Sequence, residues 1–288
     1  MENLITFIGF GEAAYNIAKG LKGEGLQHIS AFDVNQNNEK FGPTIRLRAQ
    51  EAGVKLCDSL ESACESAKFI ASLTSASVAV QVAQSVIPFL HSGQVFVDMN
   101  SASPTVKTAI GEIESKEGVL LCDAAVMGTV PGNGHKVKIL LSGDGSQEVY
   151  DAMTKYGMNL EVLDSKIGGA SAIKMFKSIV MKGLPQLMFE SMNAANTYGV
   201  LDALVKSLND SLYGKSIEQL ANTFFARTMV HAKRRAVEME NVISTVESLG
   251  LDASMAVTTK QKLQRLDEQN LKELIGTNIN MNYKDALE

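Results

Sequence analysis

The feature that most limits what this chain can fold into is the turn Gly9-Phe10-Gly11-Glu12-Ala13-Ala14. It follows the apolar run Leu4–Ile8 and opens the helix-patterned segment Glu12–Lys22. Two glycines separated by one residue let a strand turn sharply into a helix. A small residue three positions after the second glycine lets that helix lie close to the strand. The helix N-terminus formed this way offers unpaired N–H groups and a positive dipole end, which suit a pyrophosphate. Asp33 closes the next β-rich run about 20 residues on, where a carboxylate meets the hydroxyls of an adenosine ribose. The glycine pattern alone is weak. The strand before it, the helix after it and the acid at this spacing together make a dinucleotide fingerprint. Gly9, Phe10, Gly11, Glu12, Ala13 and Asp33 are therefore the expected cofactor contacts. An acid at this position repels a 2′-phosphate and favours NAD, while Lys40 and Arg46 further on leave NADP open.

The same alternation continues well beyond the turn. Strand-like runs are read at Leu4–Ile8, Ile29–Asp33, Val54–Cys57, Phe69–Leu73, Val95–Asp98, Leu120–Asp123, Val137–Leu141 and Leu160–Leu163, with helical-period segments between most of them. Such a pattern specifies an α/β fold, a mostly parallel doubly wound sheet with helices on both faces. The Gly-rich stretch Gly128–Gly134 reads as a functional loop. After Gly168-Gly169 the pattern becomes helical only, beginning with one long apolar-periodic segment, Ala170–Asn196, in which Pro185 is a candidate kink. The expected organisation is a Rossmann domain over residues 1–164 and an all-α domain over 165–288.

Composition removes several classes. The formal net charge is −5 and no basic cluster is long enough to track a phosphate backbone, so no nucleic-acid partner is expected. Cys57, Cys64 and Cys122 are scattered without a C-x-x-C pair, and only four histidines are present, so no metal site is expected. Free thiols fit a reducing compartment, and the N-terminal run is too short for a signal peptide or a span of about 20 apolar residues. A cytoplasmic protein without a membrane partner is expected.

Four segments, in order, resemble the β-hydroxyacid dehydrogenase superfamily of 3-hydroxyisobutyrate and 6-phosphogluconate dehydrogenases. They are the glycine turn, Asp98-Met99-Asn100-Ser101-Ala102-Ser103-Pro104, Asp123-Ala124-Ala125-Val126-Met127-Gly128-Thr129, and Gly168-Gly169-Ala170-Ser171-Ala172-Ile173-Lys174. The stretch His231–Glu240 is similar to a subgroup with a distinctive helical C-terminal domain. The resemblance implies NAD(P)-dependent hydride transfer on a small anionic hydroxy acid, with Lys174 as catalytic proton acceptor or donor. It also implies substrate contacts from Ser101, Gly128 and Thr129, and a homodimer through the long helix. Burial lowers a lysine's pKa, which makes it a usable base near neutrality. Taken without the resemblance, Lys174 beside Ile173 and Met175 reads as a snorkelling helix residue, and Ser101 as a turn or N-cap residue before Pro104. Gly128 and Gly132 likewise fit loop geometry alone.

The departures from the family pattern matter. Met127-Gly128-Thr129 stands where relatives carry Ser-Gly-Gly, Ser178 stands in place of an Asn four residues after the lysine, and Met181 occupies the place of a second acid in decarboxylating relatives. Ser178 is expected to assist substrate binding. Glu190 matches a family position and has a structural alternative. His231 and Arg235, four residues apart, are expected to meet a substrate anion and Arg234 a cofactor anion. The alternative is a solvated, salt-bridged helix face. Two other functions stay open, a C=N reductase on the same scaffold and a non-catalytic NAD(H)-binding regulator. Imine reductases usually replace the lysine that Lys174 retains.

Overall fold

The computed structural model describes residues 3–65, 67–270, 276 and 278–288. The chain runs β1 (Asn3–Ile8), α1 (Glu12–Gly23), β2 (Ile29–Phe32), α2 (Gly42–Ala52), β3 (Lys55–Leu56), α3 (Leu60–Glu65), β4 (Ala67–Ser72), α4 (Ala79–Val86), β5 (Val95–Asp98), α5 (Pro104–Gly111), β6 (Leu120–Val126), β7 (Ile139–Ser142), α6 (Ser146–Met153) and β8 (Leu160–Val162). Helices follow: α7 (Gly169–Tyr198), α8 (Leu201–Leu212), α9 (Ile217–Val230), α10 (Ala232–Ser248) and α11 (Ser254–Glu268). Each strand expected from the sequence is present, with ends shifted by a few residues.

The eight strands form one sheet in the order β3-β2-β1-β4-β5-β6-β7-β8. Neighbours are parallel except β6 and β7, which pair antiparallel with Asp123 opposite Ser142. Side chains along the central strands alternate between two cores, as the two-residue period of a strand requires. Phe7, Phe69, Ala71, Val95 and Val97 face one core, to which α1 and α2 contribute Ile17, Leu21 and Ile45. Ile8, Ile70 and Phe96 face the other, with Ala83 and Val86 of α4 and Ile110 of α5. A sheet buried on both faces explains why these strands read as nearly unbroken apolar runs. The strand order reverses between β1 and β4, and at such a point the crevice beyond the strand ends is open to a ligand.

The chain divides into two compact units, Met1–Ser178 and Ile179–Glu288. The sequence places the change near residue 164, after β8. In the structure the first residues of α7 stay with the sheet because its opening turn is capped from β6 and β7. Ala170 N–H donates to Ser142 Oγ at 2.9 Å, and Ser171 N–H donates to an Asp123 carboxylate oxygen at 2.8 Å. Helix α7 continues across Pro185 as one helical element. In the second unit, Val246, Ala253 and Ala256 form a buried cluster with Ala194, Met239, Ile243 and Leu251. Glu190 caps α11, accepting from the backbone N–H of Met255 at 2.7 Å and of Ala256 at 2.8 Å. A carboxylate at a helix N-terminus satisfies otherwise unpaired donors and meets the positive dipole end, so the geometry gives Glu190 a structural role. Among the described residues no helix is long and apolar enough to cross a membrane.

Candidate functional site

The glycine turn lies at the reversal of strand order. Gly9 adopts φ +88°, and a side chain there would put Cβ 2.4 Å from the Leu73 carbonyl oxygen, so the position is closed to any other residue without a shift of β4's exit. Gly11 is the N-cap of α1 and has no heavy atom within 4 Å of a built Cβ. Its exposed backbone leaves room for a ligand to come close. Ala14 is fully buried, letting α1 pack against the sheet as the sequence reading expects. Phe10 turns its side chain into the core beside Phe7 and donates its N–H to Asp33 Oδ2 at 2.8 Å. Asp33 Oδ1 accepts from Asn35 N–H at 2.9 Å. The carboxylate thus ties the tip of β2 to the turn.

A cavity of about 630 Å³ opens over this turn, bordered by Gly9, Gly11, Asp33, Asn35, Thr74 and Ser75 among others. Phe10, Glu12 and Ala13 build the turn and first helical residues behind it and are not part of its wall. The cradle fits a dinucleotide, since it combines a close-approach glycine, an exposed helix N-terminus and an acid at the strand tip. Of the two cations that left NADP open, Arg46 is bonded to the backbone and Lys40 stays exposed. Arg46 Nη1 donates to the Gln36 carbonyl at 2.5 Å, and Lys40 Nζ stands 5.3 Å from the Phe41 ring centre.

A second set of polar groups, which the sequence reading did not single out, is carried by β5, β6, α5 and α7. Lys107 of α5 is completely buried, with its ammonium 2.7 Å from Asp98 Oδ2, 3.1 Å from Asp123 Oδ1 and 2.9 Å from the Asp98 carbonyl oxygen. Asp123 also accepts from the Ser171 hydroxyl at 2.8 Å. Lys174 follows Ser171 by three residues on α7, so the two share a helix face. It is half-buried. Burial first, and then the positive charge of Lys107, hold its ammonium below the usual lysine value, with Asp123 opposing. A signal for Lys107 was available in the sequence, because it lies three residues before Ile110 on the buried stripe of α5.

Ser101 is exposed just beyond β5. The cap of α5 is instead Ser103, whose hydroxyl accepts from Val106 N–H at 3.3 Å. Gly128 and Thr129 are exposed after β6, and Thr129 carbonyl accepts from Asn133 Nδ2 at 2.9 Å. Met127 packs against the small cluster of Ala125, Leu140 and Ala170. The Ser178 hydroxyl donates back to the Lys174 carbonyl at 3.1 Å. All of these, with Lys174, belong to the first unit.

His231, Arg234 and Arg235 belong to the second. His231 is the junction between α9 and α10 (φ −112°, ψ 18°) and so lies outside the continuous helix its sequence pattern suggests. Arg235 Nη1 donates to Thr228 Oγ1 at 2.7 Å, and the exposed Arg234 pairs with Glu238 at 3.4 Å. The cysteines are free and buried, and burial pushes the Cys64 and Cys122 thiols up to about 12.

This fold and turn define a nucleotide-binding α/β protein, and the comparisons with known proteins specify the family. Residues 4–162 match the NAD binding domain of 6-phosphogluconate dehydrogenase, and the chain belongs to that family. Residues 195–266 match a domain of unknown function, DUF1932. A conserved hypothetical protein from Sinorhizobium meliloti 1021 is 31% identical, with a TM-score of 0.69 over 100% of this chain and 95% of that one. Conserved protein MTH1747, whose structure was described as similar to 3-hydroxyacid dehydrogenases, is 27% identical, with a TM-score of 0.63 over 93% of this chain and 98% of its own. An imine reductase from Aspergillus terreus, solved with NADPH4 and dibenz[c,e]azepine, shares the fold at 16% identity, with a TM-score of 0.73 over 94% of this chain and 95% of its own. The chain therefore has an NAD-binding, hydroxyacid dehydrogenase-like fold.

Proposed function

We propose that this protein is an oxidoreductase that moves hydride between a nicotinamide dinucleotide and the hydroxyl-bearing carbon of a small anionic hydroxy acid, or returns it to the semialdehyde or keto form. The observation that carries the reading is Lys174, half-buried and acidified by burial and by Lys107, in the same compact unit as the dinucleotide cradle. The bound nicotinamide would supply the hydride acceptor or donor. In oxidation, the neutral amine of Lys174 takes the hydroxyl proton as the C–H bond breaks and its electron pair leaves with the hydride. In reduction, the ammonium returns that proton to the new alkoxide oxygen. Lowering a lysine's pKa raises the share of neutral amine that can accept the proton.

The exposed Ser101 hydroxyl and the backbone at Gly128 and Thr129 suit a substrate carboxylate. With the Ser178 hydroxyl donating to the Lys174 carbonyl, that residue supports the lysine's own turn of helix more than a ligand. The commitments of Arg234 to Glu238 and of Arg235 to Thr228 favour a structural reading of the basic stretch, and the mechanism stands without it. Asp33 at the edge of the cradle, with Arg46 bonded to the Gln36 carbonyl, supports NAD as the preferred form. A second copy of the chain is the expected partner.

The test is absorbance of reduced nicotinamide with NAD(H) and NADP(H) separately, across hydroxy acids, semialdehydes and cyclic imines. A hydroxy acid or its carbonyl form should turn over, and Lys174→Ala should lower kcat/KM by about 10²–10⁴-fold while NADH binding persists. Turnover of imines alone would replace this reading with C=N reduction. Cofactor binding without turnover of any compound would favour the regulator.

A further inference from the structure

We propose that Lys107 is a positioning residue, the central tie of a buried polar chain that holds the dinucleotide cradle and the start of the Lys174 helix in one fixed relation. The functional part of this inference rests on the hydride-transfer reading above. The chain can be followed atom by atom. Thr74, which borders the cradle, donates its N–H to Asn100 Oδ1 at 2.6 Å. Asn100 donates its side-chain amide to Ser72 Oγ at 2.9 Å and its backbone N–H to Asp98 Oδ1 at 3.2 Å. Lys107 then joins Asp98 to Asp123, and Asp123 holds both the backbone N–H and the hydroxyl of Ser171, each at 2.8 Å. Ser72, Asp98, Asn100, Lys107, Asp123 and Ser171 are all buried.

Stability alone is a poor reason for this arrangement. Taking an ammonium and two carboxylates out of water is costly, and well-packed apolar residues commonly serve a core as well or better. What the arrangement supplies is location. The ammonium donates to the Asp98 carbonyl at 2.9 Å and stands 2.7 Å from Asp98 Oδ2 and 3.1 Å from Asp123 Oδ1, so its charge is shared between the two carboxylates. One cation faces two carboxylates, and the remaining negative charge on Asp123 is met by the N-terminus of α7 and the Ser171 and Ser142 hydroxyls. Removing the lysine would leave the carboxylates of β5 and β6 opposed, releasing Asn100 on one side and Ser171 on the other. Hydride transfer is sensitive to such a change, because a displacement of about 1 Å between reacting groups costs about 100-fold in rate.

The experiment compares wild type, Lys107→Met and Ser171→Ala, all as full-length protein. Amide hydrogen exchange is read at residues 73–75, 99–101 and 170–174 against β1, and kcat and KM are measured on the best substrate of the panel. Lys107→Met should raise exchange in all three segments by tenfold or more with β1 protected, and Ser171→Ala should raise it in 170–174. Both should lower kcat at least tenfold with KM and NADH affinity within threefold of wild type. If Lys107→Met fails to fold, Ser171→Ala decides. Unchanged exchange at 170–174, exchange raised equally across the unit, or a loss confined to KM would overturn the proposal. Absence of turnover by wild type would undo the functional reading and leave the exchange result to decide the tie.

Discussion

Asp33 and Lys107 show the two ways a charged residue is read at the scale of single side chains. The place of Asp33 beside the glycine turn was legible because it follows from a spacing that the sequence displays. Its second task, accepting the Phe10 N–H at 2.8 Å, was not, because that bond joins residues 23 positions apart. Asp33→Ser should therefore shift the NADP-to-NAD ratio of kcat/KM toward NADP by tenfold or more, equivalent to about 1.4 kcal/mol. Steady-state kinetics with each nucleotide check it, and an unchanged ratio would mean that the ribose contact lies elsewhere. Lys107 escaped notice for a physical reason. A lysine on an apolar stripe is usually a snorkelling residue, and its burial depends on two acids from strands that follow different turns of the chain.

Among the elements, helices tested the sequence pattern more severely than strands. The apolar runs of β1, β4 and β5 carried over because a strand buried on both faces is apolar at nearly every position. In the helical part, apolar periodicity was clear but its interruptions were not. The junction at His231 falls within a run of good helix formers, and the α7 start was set by Asp123 and Ser142 from the sheet. Helix α7 also leaves Ile179, Met181, Leu184, Leu187 and Phe189 exposed on the single chain, with Ile179 72% and Phe189 71% accessible. Large apolar side chains exposed in this number along one helix usually mark an interface. Sedimentation velocity should give a particle of twice the 31.0 kDa chain, and Ile179→Glu with Phe189→Glu should return it to one. A wild-type monomer at micromolar concentration would remove the dimer from the account.

For the whole molecule, the doubly wound sheet was legible because its determinants are local and repeated: glycine turns, alternating elements and short apolar runs. The family followed from four motifs in order, the first three of which lie within the match over residues 4–162. The substrate was not legible. Its pocket would depend on side chains such as Met127 and Ser178 that depart from the better-known relatives, and their contacts follow from folding: Met127 packs into the core and Ser178 bonds to its own helix. What the two parts of the first unit must do together, hydride at the cradle and a proton at Lys174, is the central claim. Its most direct test is the pH dependence of kcat/KM in both directions, for wild type and Lys174→Met. Oxidation should rise with pH and reduction fall, about one midpoint below the ordinary lysine value, because burial and Lys107 lower the pKa of Lys174. Both limbs should vanish in Lys174→Met. Limbs that persist unchanged in that variant would assign the proton to another group and contradict the mechanism.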